Sequence, residues 1–178
     1  MKSKNIMLIF VLIAIIGVVT LIEKPFSPKA SVKNAGSVAE LGVGGPAPDF
    51  SLIDATDKKV SLSDFTGKKA VIINFWASWC VACVSEMPLL QEASLTYKDD
   101  LVVLGVNRQE SKNDAIKFAY SLGVSFPLLL DSDRSINDLY QVISLPVTYF
   151  VNKEGVITGF KRGELNKQEL YNYIQDMI

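Results

Sequence analysis

Residues 74–83 read NFWASWCVAC, so that two cysteines follow closely on the end of an apolar segment. That segment, Ala70–Trp76, is apolar except for Asn74, which is typical of a central strand with both faces buried. We predict that a helix follows it, from about Cys80 to Tyr97. With two residues between them on the first helical turn, the cysteines can reach the Cα separation of about 5.5 Å that a disulfide requires.

The two cysteines are expected to differ in reactivity. Cys80 would lie at the helix N-terminus, where unpaired N–H groups and the helix dipole favour a thiolate, whereas Cys83 would lie one turn inside and be more shielded. This asymmetry predicts one attacking and one resolving thiol. The alternative is a purely structural disulfide, but so short a loop restricts the unfolded chain very little. The pattern therefore favours a redox-active dithiol.

Predicted strands and helices alternate on either side of this motif. We predict strands at Lys59–Leu62, Leu101–Val106 and Leu128–Leu130, helices at Asn113–Leu122 and Ser135–Tyr140, a hairpin of Val147–Val151 with Val156–Phe160, and a closing helix at Lys167–Met177. This order predicts an α/β fold in which helices flank a mixed central sheet.

The composition excludes several kinds of site. The chain has no histidine, which removes the commonest nitrogen ligand for metals and the usual general base near neutral pH. Its two cysteines leave one possible intrachain disulfide and exclude a four-cysteine zinc or iron–sulfur site within a monomer. The formal net charge of −1 gives no general attraction for nucleic acid. We expect no metal, no cofactor and no nucleic-acid partner.

The N-terminal residues are expected to lie outside the folded domain. Ile6–Ile22 carries no charge and, as a helix, would span about 25 Å, near the lower limit for crossing a bilayer. No small-residue cleavage site follows it directly, so we interpret residues 1–22 as an uncleaved membrane anchor rather than a removed signal peptide. Residues 23–44 predict a flexible stem, leaving 45–178 as one domain. We expect a cytoplasmic N-terminus and a domain on the extracytoplasmic side of the cell membrane.

The motifs within residues 45–178 resemble those of a known family. The dithiol motif, the Glu86-Met87-Pro88 that follows it and the later Leu145–Phe150 are similar to membrane-anchored thioredoxin-fold proteins of the TlpA/ResA type. The resemblance implies a thioredoxin-like fold. Members of that group are exported thiol–disulfide oxidoreductases, several of which reduce protein disulfides, including those of apocytochrome c before haem attachment. We accordingly expect a disulfide-containing protein as substrate.

Electrons for such a reaction must come from another protein, because an exported domain without a nucleotide motif has no other evident source. We expect a transmembrane thiol protein as this electron donor. The residues Val81 and Ala82 depart from the Pro or Gly that relatives often have between the cysteines. Since these two positions strongly affect the redox potential, the sequence leaves the reducing strength of the dithiol open.

Asn74 and Glu86 are the two residues to consider as partners for the proton of the resolving thiol. Asn74 stands six residues before Cys80, where cytoplasmic thioredoxins carry a buried Asp, and an Asn cannot titrate. Glu86 lies one helical turn beyond Cys83 and could face the dithiol, as a Glu often does in the group resembled. Near a partly buried dithiol its pKa would rise, which suits a proton relay. The alternative is a solvated glutamate on the helix face.

Three further residues are candidates for contact with substrate. In thioredoxin folds the proline matching Pro146 is cis and lies opposite the cysteines, where the backbone of the preceding residue, here Leu145, can pair with an extended substrate. The alternative is an ordinary proline at the start of a strand. Trp79 directly precedes Cys80 and is expected to shield the thiol and to offer an apolar contact, whereas Trp76 is expected in the core.

Two other functions are compatible with such a fold. A peroxidase of the peroxiredoxin type needs a Thr or Ser three residues before the attacking cysteine and a Pro four residues earlier, and these positions hold Ala77 and Ile73. A copper-delivering chaperone is permitted by soft thiolate ligands, but the copper chaperones of this fold add a histidine. Both alternatives are therefore disfavoured against dithiol exchange.

Overall fold

A five-stranded sheet forms the centre of the computed structural model, which describes residues 41–178. The predicted anchor at residues 1–22 and most of the predicted stem at 23–44 lie outside the described residues. Within residues 41–178, no helix is long and apolar enough to cross a membrane.

The described chain contains seven strands and four α-helices. The strands are β1 (Ser51–Ile53), β2 (Lys59–Ser61), β3 (Ala70–Trp76), β4 (Leu101–Arg108), β5 (Leu128–Asp131), β6 (Val147–Val151) and β7 (Ile157–Arg162). The helices are α1 (Val81–Thr96), α2 (Lys112–Ser121), α3 (Ser135–Leu139) and α4 (Lys167–Met177), and a 3-10 turn spans Leu62–Asp64.

The central sheet is mixed, as predicted. Its strand order is β5-β4-β3-β6-β7, in which β3, β4 and β5 are parallel while β6 and β7 run antiparallel to their neighbours. All seven residues of β3 are buried, which confirms the prediction of a central strand at Ala70–Trp76. The α/β fold with helices on a mixed sheet is thereby confirmed.

The structure differs from the sequence-based predictions at two places. The strand β1, which pairs antiparallel with β2, was not predicted, because its three residues expose Ser51 and Ile53 and show no apolar period long enough to detect. The strand predicted to include Leu62 ends at Ser61, since the Ser61 N–H donates to the Asp64 carboxylate and the chain turns there.

The two faces of the sheet are covered by different layers. Helices α1, α2 and α4 pack on the face that carries Ile72 and Trp76, and Trp76 is fully buried and stacked on Phe118, as expected for a core residue. The opposite face, with Ile73 and Phe75, packs against α3, Tyr140 and the β1–β2 hairpin. Full burial of side chains of this size contributes roughly 1.5–3 kcal/mol each.

The register of β3 places three loops at one edge of the sheet. Trp76 at the end of β3 pairs with Asn107 near the end of the parallel β4, and Phe75 pairs with Val147 at the start of the antiparallel β6. The loops after β3, after β4 and before β6 therefore meet there. The cysteine motif, the β4–α2 loop and Pro146 belong to these three loops.

Candidate active site

Cys80 and Cys83 form a disulfide with a Cα–Cα distance of 5.2 Å. Cys80 is the N-cap of α1, and its Sγ accepts a hydrogen bond from the Cys83 N–H at 3.2 Å. The same N–H group would stabilise a Cys80 thiolate in the reduced protein, and no acidic residue lies in the first turn of α1 to oppose it. The predicted helix N-terminus at the dithiol is confirmed.

The two sulfurs differ in access to solvent. The Cys80 residue keeps 8% of its surface exposed, whereas Cys83 has none. Trp79 and Val81, the chain neighbours of Cys80, are exposed, Trp79 to 65%. An incoming disulfide can therefore reach only Cys80 directly, next to an apolar side chain. The role of Trp79 in substrate contact stays a prediction.

Pro146 follows a cis peptide bond from Leu145, as the resemblance implied. Pro146 is buried at the start of β6, and its carbonyl accepts a hydrogen bond from the Gly163 N–H at 2.9 Å. Leu145 is half-buried and packs against both core layers. The proline thus lies at the sheet edge that carries the dithiol, while its part in binding substrate stays a prediction.

Glu86 is buried in the molecule, with 1% of its surface exposed. Its Oε1 accepts a hydrogen bond from Asn74 Nδ2 at 2.7 Å, and its Oε2 accepts one from the Leu165 N–H at 2.8 Å. Desolvation by burial raises the pKa of this carboxyl from 4.5 to about 7, against the opposing effect of these two donors. The alternative of a solvated glutamate on the helix face is wrong.

Asn74 is fully buried beside Glu86 and anchors it to the sheet. Its Nδ2 also donates to Thr148 Oγ1 at 3.0 Å, across the β3–β6 pair. Cys83 and Glu86 are three residues apart on α1 and both are buried, so they share its inner face. A carboxyl with a pKa near 7 thus lies one turn from the buried thiol.

Glu110 is a residue of this region that the sequence analysis missed. Its carboxylate accepts hydrogen bonds from the Ser78 N–H at 2.8 Å, from the Ser78 hydroxyl and from Asn107 Nδ2 at 2.6 Å. It thereby ties the β4–α2 loop to the loop that carries Cys80. The available signal was the predicted strand–helix–strand order from Ala70 to Val106, since such a connection joins parallel strands and places the residues after them at one edge.

The two alternative functions, peroxidase and copper chaperone, each require particular side chains at the site. The positions that a peroxiredoxin-type site requires are occupied by Ile73 and Ala77, whose apolar side chains are fully buried. Within residues 41–178, no group of three or more His, Cys, Asp or Glu side chains is arranged to hold a metal ion. The chemistry that the site offers is thiol–disulfide exchange at Cys80 and Cys83.

The raised pKa of Glu86 predicts a pH-dependent stability. Because the carboxyl ionises near 4.5 when unfolded and near 7 when folded, the folded protein binds more protons between these pH values. Its free energy of unfolding should therefore fall as pH rises through that window, by up to about 3 kcal/mol. Glu86→Gln cannot ionise, so its stability relative to wild type should improve by about that amount from pH 4.5 to pH 8.

Urea unfolding of both proteins at pH 4.5, 6 and 8 measures this difference. Glu92→Gln, at an exposed position of the same helix, is the matched control. A stability difference between Glu86→Gln and wild type that is the same at all three pH values would contradict the raised pKa.

Comparison with known proteins gives consistent results. The model of the AhpC/TSA family matches residues 43–160. The thioredoxin-like protein YneN of Bacillus subtilis is 40% identical over 139 residues, covering 75% of this chain and 81% of YneN. The thiol-disulfide oxidoreductase ResA of Geobacillus kaustophilus is 33% identical over 171 residues, covering 96% of this chain and 92% of ResA.

Solved structures agree with this assignment. The crystal structure of a candidate thiol:disulfide interchange protein DsbE from Chlorobium tepidum superimposes with a TM-score of 0.71 at 31% identity, covering 76% of this chain and 96% of that one. ResA is a thiol–disulfide oxidoreductase by name and the Chlorobium protein a thiol:disulfide interchange protein, and the close Cys80–Cys83 pair fits that activity. The chain therefore belongs to the AhpC/TSA family of thioredoxin-like proteins and is a thiol–disulfide oxidoreductase.

Proposed function

We propose that this oxidoreductase works outside the cytoplasm, held at the membrane by Ile6–Ile22, and reduces disulfides of other proteins, including the cysteine pair of apocytochrome c before haem attachment. One observation carries the proposal: an accessible Cys80 is paired with a buried Cys83, one turn from a buried carboxyl whose pKa is about 7. Reduction requires a proton to leave the resolving thiol, and this carboxyl can accept it near neutral pH.

In the first step, the Cys80 thiolate attacks one sulfur of the substrate disulfide. The substrate S–S bond breaks, a mixed disulfide with Cys80 forms, and the second substrate sulfur leaves as a thiolate that takes a proton from water. The N–H of Cys83, which lies 3.2 Å from Cys80 Sγ in the disulfide form, stabilises the attacking thiolate.

In the second step, the Cys83 thiol gives its proton to the Glu86 carboxylate and attacks Cys80 Sγ. The mixed disulfide breaks, the Cys80–Cys83 disulfide forms, and the remaining substrate sulfur leaves and is protonated by water. The substrate has gained two electrons and two protons. A membrane-embedded dithiol protein then reduces the Cys80–Cys83 disulfide and returns the enzyme to its starting state.

Trp79 and the Leu145–Pro146 segment are the proposed substrate contacts. The exposed indole of Trp79 adjoins Cys80 in the chain and offers apolar area to a peptide. The backbone of Leu145, which precedes β6 at the same sheet edge, can pair with an extended chain that brings its disulfide to Cys80. Such contacts suit an unfolded or extended protein substrate better than a small molecule.

A haem-attachment peptide tests the substrate assignment. The reduced full-length protein should open the disulfide of a synthetic Cys-x-x-Cys-His peptide, with two peptide thiols appearing for each protein disulfide formed. A matched small-molecule disulfide serves as the control for intrinsic reactivity. If the small disulfide is reduced and the peptide is not, the substrate assignment is wrong although the exchange chemistry remains.

Reporter fusions test the location. We expect a reporter that is active only in the cytoplasm to be inactive when fused after Gly44, and one that is active only outside to be active there. The reason is the uncharged Ile6–Ile22 segment, which is long enough to span a bilayer. Activity of the cytoplasmic reporter at this site would contradict an exported domain.

A further inference from the structure

A buried hydrogen-bond network connects the sheet to Glu86. Asn74 on β3 and Thr148 on β6 are register partners, and both are fully buried. The Asn74 amide nitrogen donates one hydrogen to Glu86 Oε1 at 2.7 Å and the other to Thr148 Oγ1 at 3.0 Å. Both amide hydrogens are therefore in use.

The amide oxygen of Asn74, unlike the amide nitrogen, has no hydrogen-bond partner among the described residues. It is also buried. A buried carbonyl without a partner lowers stability, so its presence beside a titratable group calls for an explanation.

The observed hydrogen bonds suit the ionised form of Glu86. Both carboxylate oxygens accept hydrogen bonds, from Asn74 Nδ2 and from the Leu165 N–H, as an ionised carboxylate does. A proton added to Oε1 on the side that faces Asn74 would point at an N–H donor. Two donors that face each other in a buried site do not bond, so a proton held on that side needs a different partner.

A half-turn of the Asn74 side-chain amide supplies that partner. It exchanges the amide oxygen and nitrogen, so that the oxygen faces both Glu86 and Thr148. The Glu86 O–H then donates to it, and the Thr148 hydroxyl, which can accept or donate, donates to it as well. The amide nitrogen would then occupy the place of the amide oxygen, where the oxygen accepts no hydrogen bond from the described residues.

We propose that Asn74 is a positioning residue that reverses its amide when Glu86 takes up a proton. This inference rests on the proposed role of Glu86 as the proton acceptor of Cys83, and it adds how the acquired proton is held. Without the reversal, a proton on the side of Oε1 that faces Asn74 would meet an amide donor, and the carboxyl would be a poorer proton acceptor at that position. Because an amide does not titrate, Asn74 stabilises both states without competing for the proton.

The other groups around Glu86 do not offer this exchange. The Leu165 N–H, in the segment between β7 and α4, is a fixed backbone donor to the second oxygen. The charges that act on Glu86 from that side are Glu164, which opposes its ionisation, and Lys161 on β7, which favours it and is itself paired with Glu169. On α1 itself, Cys83 is the group whose proton is transferred.

NMR of the full-length, isotope-labelled protein in the disulfide form tests the reversal. The side-chain carboxyl carbon of Glu86 reports its protonation, and nuclear Overhauser effects from the Asn74 amide hydrogens to Thr148 report the amide orientation. We expect these effects above the Glu86 midpoint and their loss below it, with the two signals titrating at the same pH. Effects that persist unchanged from pH 5 to pH 9 while the Glu86 carboxyl titrates would overturn the proposal.

Glu86→Gln is the matched control. Its side chain cannot ionise, so the Asn74 signals should become independent of pH in that range. If the Asn74 signals of this variant still change with pH, another titrating group controls the amide orientation and the proposal is wrong. The experiment contains no thiol exchange, so failure of Glu86 as the catalytic proton acceptor would appear in exchange rates and not in these spectra.

Discussion

The Cys83→Ser protein is expected to trap a stable mixed disulfide with its substrate, whereas Cys80→Ser should trap almost none. The reason lies in access and in the helix N-terminus. Cys80 retains some exposed surface, while Cys83 is fully buried. The Cys80 sulfur also accepts a hydrogen bond from the backbone N–H of Cys83. A lone Cys80 can attack but its mixed disulfide cannot be resolved, and a lone Cys83 cannot be reached by a protein disulfide.

Both variants should lose turnover almost entirely, so trapping rather than activity separates the two roles. Non-reducing gels followed by mass spectrometry of the joined peptides measure it in cells that express either variant. The double Cys80→Ser, Cys83→Ser protein controls for non-covalent association. Equal trapping by the two single variants would contradict the assignment of roles.

Glu86→Gln is expected to slow release of the mixed disulfide by about tenfold or more at pH 8. A positioned general base typically accelerates a reaction by about 10²–10⁴-fold. Gln keeps the size of the side chain but cannot accept the proton. Because the Glu86 pKa is about 7, the wild-type carboxyl is mainly protonated at pH 5 and cannot serve as acceptor. The rate advantage of wild type should therefore shrink as pH falls through 7.

Stopped-flow measurement of single-turnover exchange from pH 5 to pH 9 gives this profile. Glu92→Gln again serves as the control on an exposed position of α1. If Glu86→Gln releases substrate at the wild-type rate across the whole range, water serves the resolving thiol and the buried carboxyl is structural.

The central elements could be predicted because local pattern and burial agree in them. The strand predicted at Ala70–Trp76 matches β3, whose residues are all buried. The helix predicted from Cys80 to Tyr97 matches α1 at Val81–Thr96, with the two end residues acting as its caps. The continuous apolar run of β3 and the residues that cap α1 are local features, so they define the two elements without help from distant contacts.

The hydrogen-bond partners of the site residues depend on contacts between residues far apart in the chain, so the sequence did not predict them. Glu110 reaches Ser78 only because β3 and β4 are parallel neighbours, and the two residues are 32 positions apart in the chain. Glu86 was predicted to face the dithiol, but its second partner is the backbone N–H of Leu165, which no side-chain pattern reveals. The charges and hydrogen-bond donors around a site come from such residues, which are distant in sequence but close in the fold.

The reduction potential of the Cys80–Cys83 couple tests most directly whether this protein is a reductant. The full-length protein is equilibrated in buffers of defined thiol–disulfide ratio, and the fraction oxidised is read by thiol alkylation. We predict a potential near that of thioredoxin, about −270 mV, which would let the dithiol reduce protein disulfides. A potential near about −120 mV, that of the strong oxidant DsbA, would contradict the account, because such a dithiol would form disulfides in its partners rather than remove them.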